Sequence, residues 1–532
     1  MSGKTKLSDK NSSDKVQSWG DKPMNMKVFT TLSILSIAVW FFGNIIVRVY
    51  DTDMGWLIAT GRNILESGIP RTNPWTIDHD AGVVIQQWLY TIILASAAKL
   101  GHIGFSLLMF IQIAIFGFVT RAFFKVRKQP LIVWAVCFVI SLTFAMGYTF
   151  SVRPELATLT LLMTECLVLD KYIATNKWQY LIFLPVIMLL EVNLHSSMCA
   201  FHYAILLAYF VPAFYIGIKD KTELASRWKA PVVFTVIMTA AMFINPYGID
   251  GVLYTVNSFR SNAFSYIEIV ETQQTYIISM SGAIIATALI IALGCHKFKS
   301  LDSVTMNITA GFSVLSMIMM RNMMFMVIAL MFLVRALAKG AGENGVKIDW
   351  KKDIKNNVLI VLIGFLSFVS FATVNDAFMV FGNPFGQSSS SAASAANQTP
   401  LNLMSYYIQD AEIENPRIFT GFNTGAHFEL DGFSNIYIDA RPELYTPVFT
   451  GGKNIMADYT MYCVGYTLPK KLKKGIIHDN IDEWFNDYDF DYVVVTKAAE
   501  IRLNEYMSHR DDYVIPSGYN FSEYVLYEKI RE

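Results

Sequence analysis

Asp51 and Asp53 stand two residues apart just beyond an apolar run over 28–48. Two carboxylates at that spacing can hold a divalent cation, or one can take a proton from a hydroxyl. A bare Asp-x-Asp also marks helix starts and membrane interfaces, so its neighbours decide its meaning. Those neighbours are polar. Arg62, Asp78, His79 and Asp80 share the next connecting segment, followed by Gln86 and Gln87. Arg153 and Glu155 flank a proline, and Glu191, Asn193, His195 and His202 surround one turn. Asn245 and Tyr247 close an apolar run with Arg260, Glu268 and Glu271 beyond it, and Arg321 and Asn322 separate two more. A charge at membrane depth costs from roughly 2.5 to more than 10 kcal/mol, so such groups persist where they pair or line a wet cavity. Scattered interfacial side chains, each satisfied by headgroups or water, are the alternative; it explains single residues better than the set.

Other groups carry less. His195 and His202, seven residues apart, fall short of the three or four protein ligands of a zinc site and read as satisfied polar packing. Met317, Met319, Met320, Met323, Met324 and Met326 read as apolar filling. The five cysteines show neither metal-ligand spacing nor a disulfide framework. No P-loop, nucleophile elbow or dinucleotide fingerprint occurs, which leaves nucleotide-driven chemistry unsupported.

The elements that must position these groups are set by lipid. The chain is 53% hydrophobic and only 16% charged, with a mean hydropathy of +0.38, where a soluble domain carries about a quarter charged residues. Its net charge is zero, so no bulk electrostatic partner such as nucleic acid is indicated. Apolar segments lie at 28–48, 103–123, 130–149, 155–170, 178–193, 199–218, 230–247, 276–294, 303–320, 323–338 and 357–377, about eleven spans by the roughly 20-residue criterion. The first reads as an uncleaved signal anchor behind a Lys-rich cytoplasmic tail, 1–27.

Basic clusters at 121–128, 171–177, 219–229, 297–299 and 339–355 are all cytoplasmic by the positive-inside rule. Only one crossing between 82 and 121 keeps them so. The apolar stretch 85–100 is therefore expected to lie in the outer interface, within an outer loop over 51–102. An odd number of spans places the C-terminus outside. The transmembrane domain then covers 28–383, a Ser/Ala-rich flexible linker 384–400, and a small extracytoplasmic α/β domain 401–532 with β-like runs at 417–422, 435–440, 491–496 and 523–528.

Taken in order, several stretches resemble the GT-C class of membrane glycosyltransferases, in particular the bacterial branch akin to protein mannosyltransferases and aminoarabinose transferases. They are DTDMGWLIATGRNILESGIPRTNPW (51–75), QQWLY (86–90), Arg153-Pro154, Asn193 to His195, Asn245 to Gly248, Arg321-Asn322 and GFNTGAHFELDGFSNIYIDARPELY (421–445). Two positions depart from the pattern: Ser196 and Ser197 follow His195 where relatives have glycines, and Gln87 stands where a Glu often precedes the Trp-Leu pair.

The resemblance implies an all-α polytopic bundle and transfer of a sugar from a polyprenyl-phosphate donor to an extracytoplasmic glycan, lipid or protein acceptor. Asp53, or Asp51, would deprotonate or orient the acceptor hydroxyl, with no cofactor required unless a divalent cation binds at Asp51 and Asp53. Arg153, Arg260 or Arg321 would hold the lipid phosphate. Arg62, Gln87, Glu155, Asn193, His195, Asn245, Tyr247 and Asn322 complete the expected substrate-binding set. The location implied is the plasma membrane. Two other classes stay open: a non-catalytic protein of cell-envelope polysaccharide assembly, which the Gln87 departure favours, and a transporter. The latter needs polar groups at mid-depth, whereas those noted here crowd the outer ends.

Overall fold

The structure is a computed structural model that describes Thr31, Leu35 and residues 52–79, 81–149, 152–219, 224–266, 280–344 and 399–531. The apolar runs expected at 28–48 and 357–377, Asp51, and most of the linker fall outside the described residues.

Helices dominate up to residue 344. They are α1 (Thr52–Ser67), α2 (Trp88–Ala98), α3 (Gly101–Val126), α4 (Leu131–Thr149), α5 (Glu155–Thr175), α6 (Phe183–His195) and α7 (Cys199–Lys219). Then follow α8 (Leu224–Ala241), α9 (Ile249–Ser261), α10 (Met280–Lys297), α11 (Ser303–Ile318) and α12 (Met326–Glu343). Among the described residues, Gly101–Val126, Trp178–Val211 and Asn322–Glu343 are long and apolar enough to cross a membrane. Five further apolar helical segments, among them Trp88–Ala98 and Ser303–Ile318, are shorter.

The stretch Trp178–Val211 is not one rod. His195 leaves the helical region (φ −162°, ψ 70°), and a 3-10 turn occupies Ser196–Met198. Glu191 and His202, before and after that turn, meet at 3.3 Å, so the chain doubles back there. At the centre, α12 is buried on every side from Met326 to Leu333, as a helix without a polar face must be. Met323, Met324 and Met326 fill this core as expected, whereas Met317 is exposed. All five cysteines are buried free thiols.

Helix α5 sets the axis of the site. Glu155 occupies its first turn, where a carboxylate complements the helix dipole, and Asn176 ends it in the left-handed conformation (φ 54°). At 1.5 Å per residue it spans about 30 Å, close to the thickness of a bilayer's hydrocarbon. Arg335 pairs with Asp170 near its far end, and Arg127 lies 3.8 Å from the same carboxylate. Basic groups of two segments thus meet at one carboxylate away from Arg153 and Glu155.

The C-terminal unit begins with α13 (Pro400–Asp410), capped by the Thr399 hydroxyl. Its sheet runs β1-β2-β4-β3, with β1 (Ile418–Phe419) parallel to β2 (Tyr492–Thr496) and the other pairs antiparallel, β3 being Tyr513–Val514 and β4 Tyr524–Lys529. The run expected as a strand over 435–440 is shorter. Ile436 bridges to Ile418 on one side and to Thr76 of the N-terminal half on the other. Ile436 N donates to Trp75 O (3.1 Å) and Ile77 N to Ile436 O (2.9 Å), so residues 75–77 continue the sheet.

Further contacts seat this unit on the helices. His79 Nε2 lies 2.8 Å from Asn435 Oδ1, and Tyr254 donates to Glu443 at 2.5 Å. Helix α14 (Gly425–Leu430) lies on α1, where a Cβ on Gly55 would stand 2.3 Å from Ala426 O. Only glycine permits that approach.

Candidate functional site

Asp53 lies in the first turn of α1, with Trp56 one turn further on. That spacing places both side chains on one helix face. Arg153 Nη2 reaches Asp53 Oδ2 at 3.0 Å, and Trp56 Nε1 donates to Asp53 Oδ1 at 3.3 Å. Both carboxylate oxygens are therefore held, by groups from two separate elements. The Asp53 side chain is 26% exposed and that of Arg153 12%, so the pair is sheltered yet reachable. Glu155 is buried two residues beyond Arg153.

Helix α2 brings Gln86 and Gln87 to the same region. It packs on α1 so closely that a Cβ on Gly61 would meet Thr91 O at 2.0 Å. Ser196 N donates to Gln86 O (3.0 Å), tying α2 to the turn after His195. The Oε1 atoms of Gln86 and Gln87 and the Ser196 hydroxyl are buried and make no protein hydrogen bond. Buried polar atoms without a protein partner mark places where water or a ligand completes the bonding.

Beneath this layer runs a buried polar chain. The Thr158 hydroxyl donates to Glu191 Oε1 (2.6 Å) and lies 3.1 Å from His195 Nδ1. With its one proton so used, it accepts from Nδ1–H, which fixes the His195 tautomer. His202 stands between two carboxylates, with Nδ1 2.5 Å from Glu165 Oε2 and Nε2 3.3 Å from Glu191 Oε2. Both its nitrogens thus face carboxyl oxygens. Deeper still, Tyr209 donates to Asp170 Oδ1 (3.0 Å), which Arg335 also holds. Glu165, Glu191, His202 and Thr158 are wholly buried. This corrects the expectation that polar groups crowd the outer ends. Glu165 lies midway along α5, with Oε2 held by His202 and Oε1 making no protein hydrogen bond, and Asp170 lies near the far end, held by Tyr209 and Arg335.

The remaining expected residues divide. Asn193 Oδ1 accepts from Trp88 Nε1 (2.8 Å) while its amide donates to Leu189 O and Ile244 O, so it ties three segments together. Asn245 closes its own turn through Met242 O, Gly248 O and Tyr247 N. Tyr247 donates to Pro70 O (3.1 Å) beneath the Arg71 guanidinium. Arg62 donates to Leu430 O (3.1 Å), joining α1 to the C-terminal unit. Arg260 is exposed on the last turn of α9. The Asn322 amide donates to Leu315 O (3.0 Å). The Arg321 side chain and Asp51 are outside what the structure describes. Among the described residues no cluster of three or more metal-ligating side chains forms.

Two hollows flank this region. One of about 420 Å³ is lined by Trp88, Leu89, Leu190, Asn193, Ile244 and Pro246. The other, of about 440 Å³ and almost wholly apolar, lies between α7 and α8 against Tyr203, Leu206, Phe210, Val232 and Val236.

Reading the sequence alone missed Trp56, Thr158, Glu165, Asp170 and the acidic and basic residues of the C-terminal unit. Trp56 and Thr158 each lie three residues beyond a noted carboxylate, a helical spacing that signals a shared face.

No protein-family model matches the chain, and no curated protein matches it. A solved structure is similar. It is the Archaeoglobus fulgidus oligosaccharyltransferase tethered by a disulfide to an acceptor peptide containing the NVT sequon. The TM-score is 0.49 at 10% identity, covering 95% of this chain and 74% of that one.

Proposed function

We propose that this chain is a membrane glycosyltransferase that moves a sugar from a polyprenyl-phosphate donor to an extracytoplasmic acceptor. The observation that carries the reading is the Asp53 carboxylate, held at 3.0 Å by Arg153 and at 3.3 Å by Trp56 at one end of an apolar bundle. An oriented, partly exposed carboxylate beside a guanidinium suits an attack in which a hydroxyl loses its proton while a phosphate leaves. Arg153 can pass from Asp53 to that phosphate, releasing the carboxylate for the acceptor. Gln86, Gln87 and Ser196 offer unused polar atoms for sugar hydroxyls, and the hollow beside Trp88 gives the donor room. Arg260, Arg321 and Asp51 keep their proposed roles in holding phosphate or acceptor. The working side faces away from the cytoplasm in this reading, and the bundle is polytopic.

Asp53→Asn tests it. Purified protein in nanodiscs, supplied with polyprenyl-phosphate sugars, is expected to release polyprenyl phosphate, and the variant to lose at least 100-fold of that rate while inserting normally. Full turnover by the variant removes Asp53 from the chemistry.

The buried ionisable groups Glu191, His202 and Glu165, with Asp170 and Arg335 further along α5, favour a second reading, a proton-coupled carrier. Proton flux into liposomes that depends on Glu165 and persists in Asp53→Asn would select it.

A further inference from the structure

The C-terminal unit reaches the candidate base. Arg441 lies in the Ile-Asp-Ala-Arg-Pro segment and is almost wholly buried. Its guanidinium sits 5.0 Å from the ring centre of Trp56 and 5.1 Å from that of Trp75. Asp439 and Glu429 anchor it from within the C-terminal unit. Nε donates to Asp439 Oδ1 at 3.0 Å, and Nη2 donates to Asp439 Oδ2 at 2.5 Å and to Glu429 Oε1 at 2.7 Å. Tyr445 donates to the same Asp439 at 2.5 Å. The anchor is thus rigid, and the cation faces two indoles.

We propose that Arg441 is a positioning residue for Asp53, acting through the indole of Trp56. A cation over an indole face favours one placement of the ring, and desolvation strengthens that preference. The placement here aims Nε1–H at Asp53 Oδ1 and leaves Arg153 on Oδ2. A residue 388 positions away in the chain (441 − 53) thereby sets which lone pairs of the carboxylate stay open to an acceptor. The seat is built for close approach, since Gly55, between Asp53 and Trp56, lies against Ala426 where no side chain fits. Its catalytic meaning rests on the glycosyltransferase reading. The mechanical coupling does not.

The test uses full-length protein in nanodiscs labelled with 5-fluorotryptophan. Among the ten tryptophans, the signal lost in Trp56→Phe identifies Trp56. That signal is expected to move when Asp53 is replaced by Asn, because the carboxamide is a weaker acceptor for the Trp56 indole N–H than the carboxylate. In an Arg441→Gln background the movement is expected to fall by at least half, with partial recovery in Arg441→Lys. Gly55→Ala leaves the Arg441 cluster intact but pushes α14 off α1, and the same loss is expected; this variant decides the matter if Arg441→Gln does not fold. An undiminished shift in a folded Arg441→Gln or Gly55→Ala protein, or no Asp53-dependent shift in the wild-type background, overturns the proposal. In the transfer assay Arg441→Gln is expected to lower kcat about tenfold with KM unchanged, the loss of one orienting interaction. Coupling without any wild-type transfer would sink the glycosyltransferase reading and leave this inference standing.

Discussion

Asp53 is a carboxylate with both oxygens engaged, and each partner carries a different consequence. Trp56→Phe keeps the ring and removes one donor. A hydrogen bond to a charged group is worth about 1.5–3 kcal/mol, so turnover is expected to fall roughly ten- to hundredfold, measurable as donor-lipid release. Arg153→Lys keeps the charge but loses the planar fork, and its deficit should appear chiefly in the step that expels phosphate. The residue types at this point were legible in the sequence, because a carboxylate and a guanidinium at span ends are costly enough to announce themselves. Their pairing was not, since one hundred residues separate 53 from 153. Asn193 and Asn245 show the opposite failure. Polar amides beside apolar runs look like ligand-binding groups, yet here they satisfy the backbone carbonyls exposed where helices end.

At the scale of elements, α5, α6 and α7 are joined by the contacts of His202 with Glu165 and Glu191 as well as by apolar packing. Removing His202 strands the buried Glu165 and Glu191. His202→Ala is expected to cost about 3–5 kcal/mol, as breaking a buried ion pair does, and to lower the thermal midpoint of the detergent-solubilised protein. Replacing Glu165, Glu191 and His202 together by apolar residues of similar volume should be milder than His202→Ala alone, since no member of the trio is then left stranded. Hydropathy could place these helices but not their charges. A window of twenty residues averages one Glu against many leucines, so Glu165 and Asp170 vanished inside a segment that scored as a span. The turn at 196–198 was legible, because polar residues interrupt two apolar runs there. So was α2 as a distinct apolar helix after Gln87.

The whole molecule holds its two halves together through a surface that includes the candidate site, and its stability carries a pH signature from the C-terminal unit. Burial pushes the Asp458 carboxyl up to about 6, opposed by His478 at 2.8 Å. A raised carboxyl pKa favours the folded state below the unfolded value near 3.8 and loses that advantage as pH rises through 6. Unfolding of the C-terminal unit is therefore expected to grow easier between about pH 4 and 6, by up to roughly 3 kcal/mol. Asp458→Asn should flatten that part of the profile in thermal melts. The existence of this unit could be read from the change in composition after the Ser/Ala-rich stretch. Its docking could not, because residues 75–77 give no strand signal of their own and become a strand edge only against Ile436.

That borrowed edge has a consequence for biogenesis. Residues 75–77 leave the ribosome about 360 positions before Ile436 arrives, so they must wait, unpaired, until that segment is made. Conversely, a fragment made only of 399–532 carries a row of unanswered amide and carbonyl groups along 435–437. Such a row recruits whatever extended peptide it meets, another copy included. The isolated fragment should self-associate in sedimentation experiments, and a synthetic peptide spanning 70–84 should return it to a monomer.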